Sequence, residues 1–137
     1  MKKLLVSQIV LLLFSAVSVS AADQSLCASD ADISFHANGT LQTCNLKKVY
    51  EQGNLKCNAF SPISFYANGV LKSCVLYEDL KLNGVTCGDL ATVYFYPSGK
   101  LKSCTLTKQA VLQGRTCMQG QPVSFFENSS LKSCTEE

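Results

Sequence analysis

Ile63-Ser64-Phe65-Tyr66-Ala67-Asn68-Gly69-Val70-Leu71-Lys72-Ser73-Cys74 is the stretch from which the fold can be read. The same word stands 30 residues earlier as Ile33-Ser34-Phe35-His36-Ala37-Asn38-Gly39-Thr40-Leu41-Gln42-Thr43-Cys44, and returns at Val93 to Cys104 and Val123 to Cys134. Self-similarity at a fixed period of this size marks a repeat array, in which each unit buries its apolar side against its neighbours.

Inside the word, Ile63 and Phe65 alternate with Ser64 and Tyr66, the period of two expected of a strand with one buried face. Ala67-Asn68-Gly69 follows, and the third copy has Pro97-Ser98-Gly99 at that place. Proline first and glycine third fit a type I turn closed by a residue at positive φ, the three-residue hairpin loop. A two-residue Asn-Gly turn would leave no natural place for Pro97 and would set Phe65 opposite Lys72. The three-residue loop sets Phe65 opposite Leu71, a better match of apolar side chains across a strand pair. The same register predicts Ile63 opposite Ser73 and Cys74 opposite Pro62, whose missing N–H marks the start of a strand.

The remainder of each unit is less regular. Cys44-Asn45-Leu46 runs on to Tyr50, Cys74-Val75-Leu76 to Leu80-Lys81-Leu82, and Cys104-Thr105-Leu106 to Ala110-Val111-Leu112. Gly53-Asn54, Asn83-Gly84 and Gln113-Gly114 then turn the chain before the next Cys. These segments are expected to form a longer, bulged return strand. The predicted fold is all-β, an antiparallel, solenoid-like meander of four hairpin repeats at 27–56, 57–86, 87–116 and 117–137.

The eight Cys fall into two columns, Cys27, Cys57, Cys87, Cys117 and Cys44, Cys74, Cys104, Cys134. Zinc sites usually begin with a two-to-four-residue knuckle between cysteines, and no such knuckle occurs here, so disulfides are expected and no metal. Two connectivities respect the repeat. Pairing across the hairpin gives Cys27–Cys44, Cys57–Cys74, Cys87–Cys104 and Cys117–Cys134 and uses every Cys; pairing across the second turn gives Cys44–Cys57, Cys74–Cys87 and Cys104–Cys117. The first is favoured, although spacing does not prove connectivity.

Lys2 and Lys3, an apolar run from Leu4 to about Val19, and Val19-Ser20-Ala21-Ala22 have the layout of a secretory signal peptide over residues 1–21. Residues 22–137 would then be a single repeat domain, secreted or periplasmic, with no transmembrane span. Export agrees with disulfides, which persist in oxidising compartments. Of twelve Lys and Arg, two lie in residues 1–21, while all ten Asp and Glu lie beyond it. The remaining chain is formally neutral, which argues against nucleic acid as a partner.

Phe65-Tyr66-Ala67-Asn68-Gly69-Val70-Leu71-Lys72 and its echoes at 35–42, 95–102 and 125–132 resemble MORN-type repeats, particularly divergent bacterial variants. The resemblance spans nearly all of residues 22–137. It implies a meander of stacked hairpins that serves as a scaffold or binding surface, with no catalytic residues to carry over. The 30-residue period exceeds that of the ordinary repeat, and two Cys per unit are a further departure.

One active site would need an arrangement that breaks the repeat. The singular polar groups are His36, Glu78-Asp79, Asp30 with Asp32, Asp89 and Arg115. None sits in a phosphate loop, a zinc protease helix or a nucleophile elbow, and there is no Cys-x-x-Cys. No enzymatic activity and no cofactor are therefore expected. The candidate binding residues are the row His36, Tyr66, Tyr96 and Phe126 and the ladder Lys72, Lys102 and Lys132, since exposed aromatics among polar side chains suit protein or carbohydrate contacts. The row equally serves to cover the sheet, and the lysines to keep it soluble. Asn38-Gly39-Thr40 and Asn128-Ser129-Ser130 match glycosylation acceptors, relevant only in a eukaryotic secretory pathway. The sequence reads as an exported, non-enzymatic protein-binding or structural module with another protein or a cell-envelope component as partner. A small secreted effector or inhibitor of one enzyme is the alternative.

Overall fold

The computed structural model describes residues 23–29 and 32–137. The expected signal peptide at 1–21 lies outside the described residues. Among the described residues, after a 3-10 turn at Gln24–Leu26, capped by the Asp23 carboxylate on the Ser25 N–H, every element is a strand.

Eight strands make one antiparallel sheet: β1 (Ser34–Phe35), β2 (Leu41–Asn45), β5 (Pro62–Phe65), β6 (Leu71–Val75), β9 (Thr92–Phe95), β10 (Leu101–Thr105), β13 (Pro122–Phe125) and β14 (Leu131–Cys134). Their order in space is their order in the chain. The other six form three separate two-stranded hairpins, β3 (Tyr50–Gln52) with β4 (Leu55–Cys57), β7 (Leu80–Leu82) with β8 (Val85–Cys87), and β11 (Ala110–Leu112) with β12 (Arg115–Cys117). The expected long return strand is therefore corrected. Each second half leaves the sheet and folds back on itself, turned by two residues in which Gly53, Gly84 and Gly114 all have positive φ. Tyr50, Leu55, Leu80, Leu82, Val85, Ala110 and Leu112 of these hairpins join Ile63, Phe65, Val93, Phe95, Val123 and Phe125 of the sheet in one apolar cluster. Folding back supplies a second layer, without which one face of a single sheet would stay wet.

The hairpin loop is the three-residue form. The Tyr66 N–H donates to the Val70 carbonyl and the Gly69 N–H to the Tyr66 carbonyl, with Gly69 at φ +82°. Phe65 faces Leu71 as expected, but the next pairs are Ser64 with Ser73 and Ile63 with Cys74. The expected pairs Ile63–Ser73 and Cys74–Pro62 are corrected, and Pro62 instead pairs with Asn45 of the preceding unit. The cause is one extra residue at Lys72. Strict alternation from Leu71 would turn Cys74 to the outer face; the bulge resets the phase so that Leu71 and Cys74 both point inward. The same shift occurs in all four units.

Inward-facing Cys74 meets Cys57, and the four disulfides are Cys27–Cys44, Cys57–Cys74, Cys87–Cys104 and Cys117–Cys134. The bridge across the hairpin is the one formed in every unit. Three of them tie the end of a folded-back hairpin to the sheet and Cys27–Cys44 ties the segment after the 3-10 turn, next to the backbone bridges Cys27 to Leu46, Cys57 to Leu76, Cys87 to Leu106 and Cys117 to Glu136.

Candidate functional site

Alternation along β5 sends Ile63 and Phe65 into the core and Ser64 and Tyr66 to the opposite, open face of the sheet. There the Tyr66 hydroxyl donates to the Phe95 carbonyl at 2.8 Å, and the Tyr96 hydroxyl to the Phe125 carbonyl at 2.7 Å. His36 holds the same place in the first unit, with Nε2 2.8 Å from the Phe65 carbonyl, an acceptor to which the ring nitrogen donates. Each row residue thus reaches one unit along and clasps the next backbone. Phe126, in the fourth unit, has no hydroxyl to donate. Burial pushes the Tyr66 phenol above its usual pKa, and the nearby Tyr96 and Glu127 push it the same way.

The lysine ladder is not a second, separate row. Lys72 Nζ lies 5.7 Å from the Tyr66 ring centre, Lys102 Nζ 5.6 Å from Tyr96 and Lys132 Nζ 5.8 Å from Phe126, all within cation–π range. In the first unit both partners change together, to His36 and Gln42. The Tyr66 and Tyr96 rings are pinned from beneath by their hydroxyls and, like the Phe126 ring, covered from above by an ammonium group. Tyr66 and Tyr96 are thereby half-buried, whereas the Phe126 ring is still about half exposed.

Between the ladder positions run hydroxyl side chains. Thr43 donates to the Ile63 carbonyl at 3.0 Å, Ser64 lies 3.3 Å from Thr43, and Ser124 lies 2.6 Å from Ser133. Asn38 and Asn68 lace the loop tips together by donating to the Ala67 and Pro97 carbonyls at 2.9 and 3.1 Å.

Among the described residues the singular polar groups gather in no single cluster. Lys56 pairs with Glu78 at 2.9 Å, Asp79 accepts from the Asp89 N–H at 3.0 Å, and Arg115 pairs with Glu136. Asp32 is exposed at the N-terminal edge, and Asp30 lies outside the described residues.

Two features escaped the sequence reading. Phe60 and Leu90 occupy equivalent corners of consecutive units at φ 57° and 56°, and are 77% and 72% exposed. Their backbone N–H groups donate to the Leu46 and Leu76 carbonyls, which fixes the left-handed conformation; the fourth unit has Gly120 at this corner. The second is Tyr94, exposed on the open face where the other three units have Ser34, Ser64 and Ser124. That lone departure from a serine column was visible in the repeat alignment of the chain with itself.

Residues 63–79 match the family model of the MORN repeat variant. The second unit is a MORN-type repeat. Comparison with curated proteins and with solved structures gives no match. The match begins at Ile63 on β5 and ends at Asp79, just before β7, so the MORN-type unit covers the sheet hairpin with its bulge and disulfide half, and stops where the folded-back hairpin begins. A MORN repeat suggests a structural module or one that binds protein or membrane. Among the described residues no helix is long and apolar enough to cross a membrane. Four disulfides are consistent with an oxidising environment outside the cytoplasm.

Proposed function

We propose that this chain is an exported, non-enzymatic repeat module that works by binding through the open face of its eight-stranded sheet. The observation that carries the reading is the ladder itself. Three ammonium groups are held over three rings, two of which are hydrogen-bonded in turn to the neighbouring unit, on a frame closed by a disulfide in every unit. Such a surface meets a partner with little ordering left to do, which is where binding free energy is otherwise lost. Disulfides and the leader-like residues 1–21 support export, with a bacterial periplasm or secretome as destination and an envelope component or a protein as partner.

The reading is tested by producing the full chain in a bacterial host, with a photo-crosslinking residue in place of Ser103 on the open face or of Glu51 on the opposite side. Recovery outside the cytoplasm, starting after Ala21 or Ala22, with adducts from the Ser103 position only, is expected. A full-length cytoplasmic chain with free thiols would overturn export. Adducts equal at both positions would overturn the assignment of the face.

A second reading has its own observation. Phe60 and Leu90 expose large apolar side chains at backbone positions that favour glycine. Anchors of this kind fit a small secreted effector or inhibitor that docks on one enzyme. Stoichiometric inhibition lost in the Phe60→Gly and Leu90→Gly variants would favour it.

A further inference from the structure

The formal balance of residues 22–137, ten Lys and Arg against ten Asp and Glu, hides a segregation of the acidic groups. The eight strands of the large sheet contain Lys72, Lys102 and Lys132 and no Asp or Glu at all. Every acidic group described elsewhere in the chain sits on a folded-back hairpin, a corner, a loop tip or a terminus: Glu51, Glu78, Asp79, Asp89, Glu127, Asp23, Asp32, Glu136 and Glu137. Consecutive lysines are two strands apart, a spacing of about 9.6 Å from ordinary strand separation. Lys72 and Lys102 follow the same geometry over their rings, 5.7 and 5.6 Å from the centres, so the spacing is built in.

Between those two lysines lies Tyr94. Its strand, β9, pairs with β6 on one side and β10 on the other, and Tyr94 stands opposite Ser73 in the one and Ser103 in the other. Ser73 and Ser103 are the chain neighbours of Lys72 and Lys102. The face therefore offers one uncovered aromatic ring, 44% exposed, flanked by a hydroxyl and an ammonium group on each side. Of the aromatics on this face, Tyr66, Tyr96 and Phe126 carry a lysine over the ring, whereas Tyr94 breaks the serine column.

We propose that Tyr94, Lys72 and Lys102 form a subsite for a linear acidic polysaccharide, laid across the strands with one sugar ring on Tyr94. This rests on the open-face reading above and names its ligand. An aromatic plane takes the apolar face of a pyranose, the serine hydroxyls meet sugar hydroxyls, and the lysines take carboxylates about one disaccharide apart. An acidic peptide would use the charges but leave the ring and hydroxyls without a matching partner. Nucleic acid, with a far denser row of charges, would need a broader positive field.

The test uses the fully oxidised protein, with hyaluronan oligosaccharides, which carry one carboxylate per disaccharide, titrated calorimetrically. The same oligosaccharides as methyl esters, poly-glutamate and a single-stranded oligonucleotide serve as comparators. Two variants borrow residues that other units already carry at those places: Tyr94→Ser and Lys72→Gln. The acidic oligosaccharide is expected to bind at least tenfold more tightly than its ester, with at least a fivefold loss in each variant and weakening as salt is raised. Equal binding of acid and ester, or indifference to Tyr94→Ser, would overturn the subsite. Preference for poly-glutamate, lost in Lys72→Gln, would overturn the glycan while leaving the open face as a binding surface. Absence of binding to every probe, with no open-face photo-adducts, would overturn both.

Discussion

The hydroxyl of Tyr66 donates to the backbone carbonyl of Phe95 across 2.8 Å, 29 residues along the chain. Tyr96 repeats the contact on Phe125, and Phe126 ends the series without a donor. The tyrosines thus contribute to the coupling between adjacent units, which governs the cooperativity of a repeat array. Tyr66→Phe and Tyr96→Phe are each expected to lower the unfolding free energy by about 1 kcal/mol, the usual worth of one such hydrogen bond. Phe126→Tyr, about half exposed and with no further unit beside it among the described residues, should change it by less than about 0.5 kcal/mol, as surface changes do. Urea unfolding followed by circular dichroism, with disulfides intact, gives all three values; equal effects at positions 66 and 126 would refute the coupling role.

Alkaline pH should act on the same contact. Burial raises the phenol pKa of Tyr50, and burial with Tyr96 and Glu127 raises that of Tyr66, from an ordinary value of 10.0. A phenol with a raised folded-state pKa holds its proton more firmly when folded. Its contribution is full below the unfolded value near 10 and is lost as pH rises through the higher folded value. The urea midpoint is expected to stay level to about pH 9.5 and to fall beyond it. The fall should be shallower in a Tyr50→Phe, Tyr66→Phe double variant.

Burial along the array predicts unequal costs for the same substitution. Phe65 is 2% exposed and meets the Tyr50 ring edge-on, at a centroid distance of 6.1 Å, whereas Phe35 in the first unit is 48% exposed. Among the described residues no folded-back hairpin precedes the first unit to cover it. Phe65→Ala is expected to cost about 3–5 kcal/mol and Phe35→Ala less than half of that. Thermal or urea unfolding of the two variants side by side measures the difference.

Backbone conformation makes two substitutions stabilising. Ser129 has φ 69° where Gly39, Gly69 and Gly99 stand at φ 82° to 85°, and Phe60 has φ 57° where the fourth unit has Gly120. The left-handed region costs a non-glycine residue about 1–2 kcal/mol, partly offset by the greater unfolded-state freedom of glycine. Ser129→Gly is expected to raise stability by up to about 1 kcal/mol, and Phe60→Gly by a similar amount because its exposed ring gives up little burial. A drop in the melting temperature of either variant would contradict this.

Peptide mapping without reduction should recover Cys57 linked to Cys74; a Cys74–Cys87 fragment would contradict the fold. Replacing Cys57 and Cys74 together with Ala should cost about 3 kcal/mol, as expected for opening a loop of this length.

The order of residues alone determined the 30-residue period, the strand phase of Ile63 and Phe65, the three-residue turn at Ala67-Asn68-Gly69, and the two cysteine columns. These follow from rules that act within about a dozen residues: side-chain alternation, the φ range open to glycine, and the closure of short loops. The bulge at Lys72 was legible too, since Leu71 and Cys74 stand three apart and both must face inward, but it was not read. Only the tertiary structure decided that Gly53-Asn54 and its equivalents turn a hairpin back over the neighbouring Phe65, that Tyr66 reaches Phe95, and that Lys72 covers the Tyr66 ring. It also decided that Tyr94 remains open between two lysines. Alternation says which face a side chain takes, but not what another unit, one period away in sequence and two strands away in space, will set beside it.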